Sequence, residues 1–270
     1  MRSGRWAWQV YSLELRKILS YRMDFWLHFA GSTLTYVLIS FYLWKSIYDA
    51  NPNQDFGGLN FQAMVYYYLL VGLVDRGVRG LEMGLISEEI YRGGLNRYLV
   101  YPVSFFGFKG VIQLAHASVA LAQLGLMLLG ACLVFGAPDT ANFGPTGWLQ
   151  GVAAVLMGAL LNFLMNSAAE CVAFWAENTW SLQVMIRLSG SILGGGFLPL
   201  ALFPDSMRAW MRYLPFEYLT SFPVLAFLGR LEGGEWKQAT LVVLAWTLIF
   251  SVFVNWIWRR GLRTYSGVGM

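Results

Sequence analysis

Apolar residues run through this chain in six long stretches, and the length of each stretch sets its reading. A helix needs about 20 predominantly apolar residues to cross a bilayer core of roughly 30 Å. Stretches 24–44, 61–86, 105–136, 148–173, 180–203 and 237–258 meet that length and are expected to span. Helix breakers separate them: Asn51-Pro52-Asn53 and Gly57-Gly58, Pro138 with Gly144-Pro145, and Gly233-Gly234. Segment 204–229 departs from the series. It holds a short amphipathic piece, then Pro215, then an apolar piece interrupted by Pro223. At ~1.5 Å per residue that second piece covers roughly 20 Å, too little to cross. It predicts a re-entrant hairpin of two half-helices entering from the external side, packed against protein or lining a wet cavity. Residues 5–20 alternate differently: Trp6, Val10 and Leu13 with Trp8, Leu15 and Leu19 form an apolar side against Glu14, Arg16 and Lys17. That pattern predicts an N-terminal helix lying in the membrane interface.

Composition supports the membrane reading. Of 270 residues 57% are hydrophobic and only 13% charged, about half the charge that a soluble domain carries. The chain is thus expected to be one all-α polytopic transmembrane domain over 1–270. Spans one to three lie within 24–136, spans four to six within 148–258, and a tail covers 259–270. The net charge of +4 reports orientation, because basic residues stay on the cytoplasmic side. Fourteen of the nineteen basic residues cluster at one expected side: five before the first span, five over 75–109, Arg187 near the connection between spans four and five, and three in the tail; Lys45, Arg208, Arg212, Arg230 and Lys237 fall on the other side. Both termini are therefore expected in the cytoplasm. The first 23 residues have no compact apolar core and read as no cleavable signal.

The chemistry-bearing residues exclude several classes. The two histidines, His28 and His116, lie on different predicted helices and cannot build a metal site. The chain has no Gly-x-Ser-x-Gly and no G-x-x-x-x-G-K-[ST], so it does not bind ATP by a phosphate loop. Cys132 and Cys171 fall at opposite ends of their spans and read as apolar fillers. Asp75, Arg79 and Glu82 follow i, i+4, i+7 spacing on a helix expected to run on out of the membrane. They form a charged stripe for an inner vestibule or interface, or a solvated, self-paired helix end. Glu170 and Glu177 repeat the spacing at the inner end of span four, with Arg187 on span five as a possible partner. No acid lies at the expected midplane, which weighs against a proton- or sodium-driven transporter. Gly190 and Gly194 give span five a small-residue face for close helix packing. Tyr66, Tyr67 and Tyr68 form an aromatic band, read as belt and packing or as the lining of a path for amphiphilic cargo. A membrane enzyme acting on lipids, or a channel or secondary transporter, remains an alternative at this point.

Residues 87–104 are the most distinctive. Acids come first and arginines later, complementing a helix dipole, and Pro102 ends the piece. A compact charged helix over 87–101, between two spans, suits a cytoplasmic partner. The stretch 11–25 (YSLELRKILSYRMDF), the pattern E-E-I-x-x-G-x-L-x-R-Y-L-x-x-P-V-S at 88–104 and L-P-F-E-Y-L-T-x-F-P at 214–223, with Phe227-Leu228-Gly229 after it, resemble ABC-2 type ABC-transporter permeases, in their six-helix branch. Gly93-Gly94 and Tyr101 depart from that pattern, which has a single glycine and often an arginine there. The resemblance implies an ATP-driven exporter in the bacterial cytoplasmic membrane. Two copies of a separate cytoplasmic ATPase would bind ATP and magnesium and dock beneath two permease chains, identical or related. Cargo would leave along the permease interface, among membrane lipids, with no nucleic acid involved. Residues 87–101 would be the coupling helix, with Glu88, Glu89, Arg92, Arg97 and Tyr98 at the ATPase contact.

Overall fold

A computed structural model describes residues 3–20, 22–51, 56–80, 84–136, 144–231 and 233–266, and among these it contains helices and no strand. In chain order the helices are α1 (Ser3–Ser20), α2 (Arg22–Ala50), α3 (Phe61–Arg79), α4 (Leu85–Tyr91), α5 (Leu95–Leu99), α6 (Phe105–Phe135), α7 (Pro145–Glu170), α8 (Trp180–Leu193), α9 (Asp205–Met211), α10 (Ser221–Phe227) and α11 (Gly233–Leu262). Among the described residues, three segments are long and apolar enough to cross a membrane: Phe105–Leu133, Pro145–Phe174 and Gly233–Leu262.

Burial separates the helices by role. α3 and α7 occupy the centre: α3 packs on α2, α6, α7 and α10, while α7 also meets α8 and α11. Met64, Leu70, Leu73 and Val74 of α3 are buried completely or nearly so. By contrast α6 turns Leu126, Leu129 and Leu133 outward, and α11 turns out Leu241, Leu244 and Leu248, as helices bordered by lipid do. α7 gains its close packing from two glycines one heptad apart. A Cβ at Gly151 would overlap the Phe227 ring of α10, and one at Gly158 would stand 2.6 Å from the Tyr218 carbonyl oxygen. This stripe seats the segment between α8 and α11 directly on α7.

That segment contains α9, a short 3-10 turn at Glu217–Leu219, and α10. Pro223 does not interrupt a half-helix as expected. It sits in the first turn of α10, where the missing N–H would have no helical partner anyway. The Tyr218 hydroxyl donates to Arg212 O (2.6 Å), and Trp246 Nε1 of α11 donates to Tyr213 O (2.8 Å).

Two predicted spans end early, each for an identifiable reason. α3 stops at Arg79 instead of running to 86; Gly80, at φ 49°, closes it by donating to Arg76 O. Its late carbonyl at Val78 accepts from Gln113 Nε2 of α6 (2.9 Å) and Asn162 Nδ2 of α7 (3.3 Å). Side-chain amides thus cap the helix inside the bundle. The fifth run does not continue to 203. α8 ends at Leu193, and residues 194–199 leave the helix, with Gly195 at φ 83°.

Backbone released from a helix in this way needs new partners wherever water is absent. Four consecutive carbonyls find them. Gly194 O accepts from Ser221 N (2.9 Å), Gly195 O from the Tyr67 hydroxyl (2.8 Å), Gly196 O from Tyr36 (3.3 Å) and Phe197 O from Tyr68 (2.8 Å). Three tyrosines from α2 and α3 and one amide from α10 therefore hold the unwound turn. Tyr67→Phe keeps the ring and strands a buried carbonyl, so it should lower stability by about 1–3 kcal/mol. Tyr36→Phe, which breaks a longer and less buried bond, should cost less. Denaturant unfolding in detergent measures both; equal midpoints for wild type and Tyr67→Phe would remove the clamp from the account.

Candidate functional site

The expected single helix over 87–101 is two short helices at an angle. α4 ends at Tyr91 and α5 begins at Leu95, with Gly93 between them at φ 69°, a conformation open to glycine at no steric cost. The Gly93-Gly94 pair that departs from the family pattern is therefore the hinge of an elbow.

The elbow is fixed to the bundle at two acidic residues. Glu89, largely buried, accepts from Arg97 Nη2 of α5 at 2.7 and 2.9 Å and from the Tyr98 hydroxyl at 3.1 Å, and lies 3.6 Å from Lys109 Nζ of α6. Lys109 and Arg97 also approach the Tyr98 ring, 5.2 and 5.0 Å from its centroid. Burial, then the neighbouring Glu89 charge, pushes the Tyr98 phenol above its ordinary range, so it remains a donor to that carboxylate. Arg97 is held charged even more firmly by its hydrogen bond to Glu89. Glu89 is thus an internal anchor that ties α4 to α5 and α6.

Glu170, the last residue of α7, makes the second attachment. Its carboxylate accepts from Ile86 N (2.6 Å), Gly84 N (3.2 Å) and Ser87 N (3.2 Å) at the start of α4. A carboxylate at a helix N-terminus satisfies orphan N–H groups and complements the dipole. Around it Ile86, Ile90, Leu95, Phe105, Cys171 and Phe174 form a second core joined by Ile257 of α11. Cys171 is a buried filler there. Tyr91 adds a hydrogen bond to Ala176 O (2.9 Å).

What the elbow leaves outward is distinct. Glu88 and Arg92 are exposed, 3.9 Å apart, and an exposed pair of this kind contributes little to stability. Next to them Leu99, Val100 and Tyr101 form an exposed apolar tip, Val100 at 80%.

Beside the elbow, α3, α6, α7 and α8 enclose a cavity of about 440 Å³ that Asp75, Arg79, Glu170 and Arg187 all border. Arg79 pairs with Asp75 (2.5 Å) and donates to Ser191 Oγ of α8 (3.1 Å). Glu82 lies outside the described residues. Glu177 is exposed and does not border the cavity. Glu170 and Arg187 share the cavity wall without an ion pair among the described residues. The tyrosine band is not open to cargo within this chain. Tyr66, Tyr67 and Tyr68 are at most 5% exposed, and each hydroxyl donates to a backbone carbonyl, that of Tyr66 to Gly136 (2.6 Å). Gly190 and Gly194 pack inside the chain: a Cβ at Gly194 would stand 2.6 Å from Phe216 O, and Gly190 faces Leu219 and Arg79.

The α1 pattern also turns out differently. Glu14 points inward to His116 Nε2 of α6 (3.1 Å), and Tyr11 meets Ser118 Oγ (2.8 Å), while Trp8, Leu13 and Leu19 are exposed. Sequence reasoning missed Lys109, Gln113, Asn162 and His116 as partners. A signal existed, since polar or ionisable residues inside apolar runs mark satisfied interior positions or sites.

Removing the α4 cap gives a local test. Glu170→Ala should loosen α4 by about 1–3 kcal/mol, the cost of stranding buried donors, read as faster amide hydrogen exchange over 85–91. Unchanged exchange there would show that the hydrophobic contacts alone hold the elbow.

No curated protein and no solved structure matches the chain significantly. Residues 34–269 match the family described as ABC-2 family transporter protein. That match takes in the elbow, the cavity apart from Ile18, the unwound turn and the three long apolar helices, and with it the chain belongs to the ABC-2 transporter family as a membrane permease of an ABC transporter.

Proposed function

We propose that this chain is the membrane subunit of an ATP-driven exporter, paired with a second permease and served by two copies of a separate cytoplasmic ATPase that binds ATP and magnesium. The observation that carries this reading is the α4–α5 elbow. It is tied to α6 through Glu89 and to α7 through Glu170, yet presents Glu88, Arg92 and the Leu99–Tyr101 tip outward. A partner that pushes on this tip cannot move α4 without straining three hydrogen bonds to α7. α7 in turn carries the α9–α10 hairpin on its glycine stripe. The elbow would thus couple ATP-driven motion to the opposite membrane face, where an amphiphilic cargo leaves.

In this reading α2, α3 and the broken α8 segment supply three further crossings beside the three long apolar helices. Both termini lie in the cytoplasm of a bacterium's inner membrane, α1 rests in the interface, and 204–229 is re-entrant. The charge asymmetry supports the orientation. The lengths of α9 and α10, seven residues each, support the hairpin, since either one rises only about 10 Å.

Two experiments test these points. Glu88→Lys and Arg92→Glu should cut ATPase recruitment and transport several-fold at unchanged thermal stability, because neither side chain holds the fold; Glu89→Lys should lower stability itself. Wild-type recruitment and transport in both exposed-residue variants would remove the elbow as the docking element. Cysteine labelling in a background lacking Cys132 and Cys171 should reach positions 206 and 233 from outside and 264 from inside. If 206 and 233 react from opposite faces, residues between them cross the membrane and the six-crossing arrangement fails.

A further inference from the structure

α11 turns one continuous face outward. Leu241, Leu244, Leu248, Val252 and Trp256 recur at three- and four-residue steps, which share a helix face, and each is more than half exposed. The helix is long and apolar enough to cross a membrane, so this face borders acyl chains. The next steps of the same row bring three exposed arginines, Arg259, Arg260 and Arg263. Arg260 is held over the Trp256 ring, its Cζ 5.5 Å from the centroid. Among the described residues none of the three forms an ion pair. Arg259 and Arg263 stand at i, i+4, where like charges repel, and a helix C-terminus offers only about half a negative charge against them. The row thus passes from hydrocarbon contacts through an indole to unpaired guanidinium groups, the order of layers from acyl chains through the interface to headgroups.

We propose that this end of α11 binds the headgroups of anionic phospholipids in the leaflet on the elbow's side. Guanidinium groups meet phosphate oxygens through charge-assisted hydrogen bonds, and an acidic headgroup supplies the net negative charge that a zwitterionic one lacks. The occupant is a lipid because the arginines continue the same face that carries Leu248 and Val252. The opposite face of these turns is committed to the elbow. Ile257 is buried in the core around the elbow, Trp258 stacks on Phe105 with ring centroids 4.9 Å apart, and a Cβ at Gly261 would overlap the Phe174 ring. That packing fixes the helix end, so the arginines are presented at a set depth and direction and need little ordering to bind. The inference rests on α11 crossing the membrane and is independent of the ATPase, so its failure leaves the docking argument untouched.

The test uses the purified full chain in neutral detergent without any ATPase. Native mass spectrometry measures retention of added phosphatidylglycerol and phosphatidylcholine by wild type, by the double variant Arg259→Gln with Arg260→Gln, and by a control, Lys45→Gln with Lys237→Gln. All four side chains are exposed, so neither pair of changes should disturb folding, and equal melting temperatures in detergent check this. Wild type should retain phosphatidylglycerol over phosphatidylcholine. The arginine variant should lose more than tenfold of that preference, at about fivefold for each basic group at an anionic surface, while the control keeps most of it. Equal retention of the two lipids by wild type overturns the proposal. So does an equal loss in the control, which would reduce the effect to net charge. Unchanged lipid retention in the arginine variant, with weaker recruitment of the ATPase, also overturns it and gives this face to the soluble partner.

Discussion

A buried peptide carbonyl released from its helix has no water to bond, and this constraint organises the molecule. The unwound turn after α8 breaks the helical ladder at four successive carbonyls. Tyr36, Tyr67, Tyr68 and the Ser221 amide take up all four. The same requirement acts at the end of α3, where Gln113 and Asn162 close on the Val78 carbonyl. At the start of α4 the need is reversed, and the Glu170 carboxylate meets the free N–H groups. Each break in regular structure therefore fixes a contact between segments distant in sequence.

Those contacts make α3 and α7 the frame. α3 carries the tyrosines that hold the unwound turn and ends where amides from α6 and α7 stop it. α7 seats the α9–α10 segment along Gly151 and Gly158 and caps the elbow with Glu170. One helix thus contacts both features, and its close packing leaves little slack to absorb a displacement at either end. The cavity is walled partly by the residues that terminate α3 and cap α4. Any change in elbow position would therefore also alter the shape and charge of the cavity.

The sequence by itself determined the membrane class, the long helices α6, α7 and α11, and the family. Each rests on local quantities: apolar length, charge balance, the spacing of prolines and glycines, and a motif at 88–104. The i, i+4 spacing of Asp75 and Arg79 also showed that these two side chains could meet on one helix face. What only the tertiary structure decided is where partners come from other helices. Glu89 reads as an exposed acid until α5 and α6 bring Arg97 and Lys109 to it, and Glu170 reads as half of an ion pair until α4 offers its amides. The tyrosine band reads as an interface belt until the turn at 194–197 presents carbonyls to it. The early ends of α3 and α8 have the same origin. An apolar run encodes permission to continue as a helix, whereas the stop is set by a side chain from elsewhere in the fold that satisfies the broken backbone.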